Sequence, residues 1–134
     1  MRRTVPIPKK SLTVRRSKSG LGLFATKPIR KGMFIEYTGK IIPNEKADTM
    51  NGARYLFEIN SKWTIDGTGR SNLARYVNHS CIPNCESVLN GKKVYIKAKK
   101  NIRAGEQLTY DYGREYFDEF IKPKGCVCKK CLGT

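Results

Sequence analysis

Eight short runs organise this sequence: SLTVRR, GLFAT, MFIEYTG, RYLFEI, WTID, ESVLN, KVYIKA and QLTYDY. They are rich in β-branched and aromatic residues and are separated by Gly, Pro, Asn and Ser, so they read as short strands joined by turns. Val94, Ile96 and Ala98 alternate with Lys93, Tyr95, Lys97 and Lys99, as in a strand with one buried face. Asn90-Gly91 falls between two such runs and signals a hairpin, and a second Asn-Gly stands at 51–52. The best helical piece is about two turns around RSNLARYV (70–77), with Leu73, Tyr76 and Val77 on one side. PIRKGMFIE (28–36) and NIRAGEQLT (101–109) share an Ile-Arg-x-Gly pattern, read as a reused glycine turn feeding a strand. A chain of 134 residues carrying this pattern is one mainly β domain with short helices. Only the basic N-terminal arm (1–11) and the stretch from Lys122 look loose.

Charge is the next constraint. The net charge is +16, and residues 1–31 hold ten Lys/Arg and no acid. GKKVYIKAKKNIR (91–103) adds six basic residues, again without an acid. Five of the eleven acids, Glu106, Asp111, Glu115, Asp118 and Glu119, crowd together instead. Basic faces attract nucleic acid or another polyanion, and the acidic cluster suits a cationic peptide. A merely solvated charged surface is the plain alternative for the basic runs. No apolar run approaches the ~20 residues of a membrane span. MRRTVPIPKKSLTVRRS lacks the apolar centre of a signal peptide, so a soluble, unsecreted chain without a membrane partner is expected.

The segment RYVNHSCIPNC (75–85) gathers the one histidine, two of five cysteines and two asparagines. A metal site, a nucleophile, a glycosylation sequon and a polar knot are all open there, and the sequon fits an unsecreted chain poorly. Cysteines in such a chain favour metal or free thiols over disulfides. Cys126, Cys128 and Cys131 make a Cys-x-Cys-x-x-Cys cluster. Tetrahedral zinc needs a fourth ligand, at ~2.3 Å for sulfur, and Cys81, Cys85 or His79 could supply it. A zinc would order a tail that has too little apolar surface to order itself.

SGLGLFATKPIRKGMFIEYTGKII, RSNLARYVNHSCIPNC, GEQLTYDYG and CVCKKC, in that order, resemble a SET-domain protein lysine methyltransferase with a C-terminal post-SET zinc motif. The likeness runs from about Leu12 to Cys131, with a SET domain over 12–121 and a post-SET tail over 122–134. It implies small curved sheets and a C-terminal pseudoknot, in which Asn78, His79 and Ser80 would satisfy buried backbone. It implies S-adenosylmethionine as methyl donor, with Gly20, Leu21 and Gly22, Tyr37, Arg75, Asn78 and His79 around it. Phe117 would cover the adenine. Tyr112 matches the catalytic tyrosine, and Tyr110 a second position facing the substrate amine. At i and i+2 on a strand the two would share a side. The resemblance selects Cys81 as the fourth zinc ligand, with Cys126, Cys128 and Cys131, and leaves Cys85 a free thiol. Two departures stand out: two residues rather than four precede the last cysteine, and the insert between Ile42 and Tyr55 is short.

The implied activity is methyl transfer to a lysine in a basic, histone-like or ribosomal protein segment, mainly to the monomethyl product, by a monomeric enzyme. The competing reading is a non-catalytic nucleic-acid or chromatin-binding module on the same scaffold. A small zinc-ribbon RNA binder would lack a second cysteine pair and leave Asn-His-Ser unexplained.

Overall fold

The computed structural model describes residues 5–18, 20–50 and 55–112. The Asn51-Gly52 turn, Phe117, Glu115, Asp118, Glu119 and the three C-terminal cysteines lie outside the described residues. The architecture is a set of small sheets. Strands β1 (Leu12–Ser17) and β2 (Gly20–Ala25) form an antiparallel hairpin. β3 (Phe34–Tyr37), β9 (Lys93–Ala98) and β8 (Cys85–Asn90) make one three-stranded antiparallel sheet in the order β3-β9-β8. β4 (Lys40–Pro43), β6 (Trp63–Asp66) and β5 (Leu56–Glu58) make another, in the order β4-β6-β5. The remaining pair, β7 (Asn78–His79) and β10 (Thr109–Tyr110), is parallel. No helix among the described residues is long and apolar enough to cross a membrane.

The alternation expected in β9 is real: Val94, Ile96 and Ala98 are buried. They join Leu23 of β2, Ile65 of β6, Val77 and Leu108 in one core. The β8–β9 hairpin forms with Asn90 paired to Lys93, so its two-residue loop is Gly91-Lys92 rather than Asn90-Gly91. Gly91 has φ +64°, as a primed turn with glycine at its first central position requires.

The two Ile-Arg-x-Gly segments do more than reuse a turn. Ile29 and Ile102 pair with each other through reciprocal N–H···O bonds of 2.8 Å. Each then enters a turn closed by an i+3 bond, Met33 N to Arg30 O and Glu106 N to Arg103 O. Gly32 and Gly105 hold φ +95° and +91° at the third position, the type II requirement.

Two expectations need correction, and two elements went unmarked. The two-turn helix near 70–77 is a single 3-10 turn, Leu73–Tyr76. Asn72 does not cap it; the buried Asn72 amide accepts from Thr38 N and donates to Gly67 O, and Val77 then turns extended to enter β7. Strand β4 has no alternation to betray it, because Ile41 and Ile42 are adjacent. The short helix α1 (Asn44–Asp48) was likewise unmarked. From Val5 onward the N-terminal arm is not loose: Ile7 is buried and donates to Phe34 O at 2.7 Å, while Phe34 N donates to Val5 O.

Candidate active site

The site forms where residues 105–112 run between β2 and the segment 77–84. On one side Ala25 N donates to Glu106 O, and Leu108 N donates to Leu23 O. On the other, Ser80 N donates to Tyr110 O at 3.2 Å. Three polar side chains complete the crossing. The Asn78 amide nitrogen lies 2.8 Å from Gln107 Oε1, 3.0 Å from Leu21 O and 3.2 Å from Ser17 Oγ. The Asn84 amide donates to Gln107 O and accepts from Thr109 N, both at 2.9 Å. His79 Nδ1 accepts from Tyr112 N at 3.1 Å, extending the β7–β10 ladder by one bond after the backbone pairing ends. The polar knot expected from Asn-His-Ser is therefore present, and Asn84 and Gln107 belong to it.

That extra bond explains how Tyr110 and Tyr112 stay on one side although β10 itself stops at Tyr110. Their ring centroids lie 4.8 Å apart. Tyr112 Oη donates to Val77 O at 2.5 Å, which commits its hydroxyl proton. The rings continue outward: Phe57 lies 6.5 Å from Tyr110, and Tyr37 lies 5.3 Å from Phe57. On the other flank His79 meets Tyr112 edge-on at 5.5 Å. Five rings from four segments thus form a continuous wall. Apolar aromatic surface of this kind strips water from a cation while offering it ring faces.

The His79 ring is held neutral. Burial lowers its pKa, and Asp111 Oδ1, 3.8 Å from Nδ1 on a side chain 61% exposed, only partly opposes this. Because Nδ1 accepts from Tyr112 N, the ring proton sits on Nε2, 3.4 Å from Cys81 Sγ.

The described chain matches the SET domain family over residues 20–113. The chain belongs to the SET-domain family. Its relatives include a histone-lysine N-methyltransferase trithorax of Drosophila virilis, 41% identical over 124 residues covering 84% of this chain and 3% of that protein. The histone-lysine N-methyltransferase set1 of Dictyostelium discoideum is 41% identical over 128 residues, 84% of this chain and 8% of that protein. The H3 lysine-4 specific histone-lysine N-methyltransferase of Schizosaccharomyces pombe is 40% identical over 121 residues, 81% of this chain and 13% of that protein. The SET domain here therefore spans only a small fraction of the length of these relatives.

Around the start of β2 the SET domain gathers the residues expected to meet the methyl donor. Gly20 is required by its φ of +105°, and a Cβ there would meet nothing within 4 Å among the described residues. Gly22 is required by space, since a Cβ would fall 2.4 Å from Gln107 Oε1 and 3.1 Å from Asn78 Nδ2. Leu21 between them is apolar yet 52% exposed. The Leu73–Tyr76 turn packs against β2. Its Arg75 is stacked between Tyr55 and Tyr76, with the guanidinium 4.4 and 4.7 Å from the two ring centroids, and donates to Thr68 O. Arg75 Nε is buried with no hydrogen-bond partner among the described residues. An exposed apolar side chain, open space over Gly20 and an orphaned donor suit a ligand with apolar and anionic parts. Tyr37, by contrast, sits with Phe57 and Tyr110 in the aromatic wall, buried against Gly67.

The same geometry sorts the possible zinc donors. Cys85 is 1% exposed, and burial pushes its thiol up to about 12, so in the metal-free protein it stays protonated. His79 spends Nδ1 on Tyr112 and directs Nε2–H at Cys81. Cys81 is half-buried and receives that N–H, an arrangement suited to a thiolate ligand supported from behind. Sequence reasoning missed Asn84, Gln107 and Phe57. All three stood in segments already singled out, but nothing local distinguished them.

Proposed function

We propose that this SET domain is an S-adenosylmethionine-dependent protein-lysine N-methyltransferase acting on a lysine in a basic, histone-like segment. The observation that carries this reading is the Tyr37–Phe57–Tyr110–Tyr112 wall abutting the Asn78–His79 crossing. When bound, S-adenosylmethionine supplies an electrophilic methyl group on a sulfonium. Gly20, Leu21, Gly22, Tyr37, Arg75, Asn78, His79 and Phe117 are the residues to hold it. The wall's task is to desolvate the substrate ammonium, whose ordinary pKa is ~10.4, until the amine is neutral. Tyr112, its proton committed to Val77 O, accepts an N–H of that amine and so aims the nitrogen lone pair. Tyr110 offers a hydroxyl to the same amine. That contact restrains nitrogen rotation and takes space a second methyl would need, so monomethyl-lysine is the main product.

Substrate recruitment in this reading falls to Glu106 and Asp111, both exposed, together with Glu115, Asp118 and Glu119. We further assign one zinc to Cys81, Cys126, Cys128 and Cys131, where it would tie the post-SET tail (122–134) onto the SET domain (12–121). The test is transfer of a labelled methyl group from S-adenosylmethionine to histone and ribosomal protein mixtures. Lysine-linked label on a basic protein is the expected result. Absence of both donor binding and transfer would overturn the reading in favour of a non-catalytic chromatin-binding module.

A further inference from the structure

We propose that the face built by the paired Ile-Arg turns is a docking surface for the phosphate backbone of duplex DNA. The Ile29–Ile102 pairing joins two segments that are far apart in sequence and devoid of acids, 25–35 and 91–105. It thereby collects Lys27, Arg30, Lys31, Lys99, Lys100 and Arg103, all exposed. Counting outward from the bridge sets Lys31 across from Lys100, and Lys31 N is tied to Asn101 Oδ1 at 2.8 Å. The other end of the pairing carries Lys27 and Arg103. Among the described residues none of the six cations makes an ion pair, and Glu106 at the second turn accepts from Arg103 N at 2.9 Å. Two type II turns and a bridge hold the backbone under these charges, so the cations are presented on a fixed frame.

Phosphate chemistry alone would also suit a single strand or an anionic membrane. Single-strand binders add exposed aromatic rings on which bases stack, and neither turn carries an aromatic residue. Membrane docking adds apolar insertion, and the large exposed hydrophobics among the described residues (Val5, Leu21, Ile82, Val88 and Leu89) all lie outside these turns. Charge without stacking or insertion is the footprint of duplex backbone binding. The choice of DNA over duplex RNA rests on the histone-like substrate of the proposed function. Arg103 and Tyr110 are seven residues apart, at most ~25 Å of extended chain. A tail leaving DNA bound at this face could therefore reach the site.

The experiment measures binding of a fluorescent 30-base-pair duplex DNA to the full chain by anisotropy between 50 and 200 mM salt. If six phosphates are neutralised, affinity falls about 2,000-fold over that range. Lys99→Gln/Lys100→Gln/Arg103→Gln should lower this to about 40-fold. Lys40→Gln/Lys46→Gln/Lys62→Gln, three exposed sites elsewhere with the same change in net charge, should leave the wild-type slope. Equal effects of the two triple variants, or an unchanged slope in the first, would overturn the proposal. So would tighter binding of single strands, of duplex RNA, or of phosphatidylserine vesicles than of duplex DNA. Circular dichroism melts confirm that each variant is folded. The measurement involves no methyl transfer, so an inactive enzyme that still binds DNA through this face refutes the proposed function without refuting this one.

Discussion

Replacing Asn84 by alanine tests whether the polar crossing, rather than β10 itself, sets Tyr110 and Tyr112. Asn84 is 7% exposed and bridges the 107–109 backbone by donating to Gln107 O and accepting from Thr109 N, each at 2.9 Å. β10 has only two residues, so these side-chain bonds stand in for strand pairing that the backbone lacks. Asn84→Ala removes two bonds worth ~1 kcal/mol each and leaves a donor and an acceptor without partners, at ~1–3 kcal/mol apiece. Discounting for water reaching one of the two, the expected loss is ~2–4 kcal/mol. With a urea slope of ~2 kcal/mol/M, the midpoint falls by ~1–2 M. The control is Asn101→Ala, an exposed asparagine whose side chain makes a single bond to Lys31 N, for which ~0.5 kcal/mol is expected. Methyl transfer by Asn84→Ala should fall further than its folded fraction explains, because Tyr110 and Tyr112 follow directly. A loss below ~1 kcal/mol, or one equal to that of Asn101→Ala, would refute the reasoning.

Tyr112→Phe removes the hydroxyl held by Val77 O and should slow every methylation step at least tenfold, since ~1.4 kcal/mol at the transition state is enough. Tyr110→Phe should keep the rate and move the product toward di- and trimethyl-lysine; mass spectrometry of one peptide over time reads both, and a wild-type enzyme running quickly to trimethyl-lysine contradicts the role given to Tyr110. Cys81→Ser should release the zinc measured by atomic absorption, whereas Cys85→Ser should retain it. The native Cys85 thiol, pushed up to about 12, should resist iodoacetamide at pH 8 until urea unfolds the chain. The sign of its pH effect follows: only the unfolded thiol ionises as pH passes about 9, so stability contributed below that pH declines above it.

Local pattern made the strands legible. Period-two burial in β9, the Gly91 hairpin and the glycine of each Arg-x-Gly turn depend on residues within a few positions of one another, which sequence displays directly. The i, i+2 relation of Tyr110 and Tyr112 was legible for the same reason. Ordered motifs also sufficed to identify the SET family. What tertiary structure alone decided are partnerships between distant residues. The Ile29–Ile102 pairing turned a faint internal echo into one basic face. The Asn72 amide joins Thr38 to Gly67, which only folding brings near it, and the helical piece shortens to one turn. Phe57 became part of the site only through the rings that folding brings beside it. A side chain's hydrogen-bond partners and dielectric surroundings come from other segments of the chain. They exist only once the core has closed, and no window of sequence contains them.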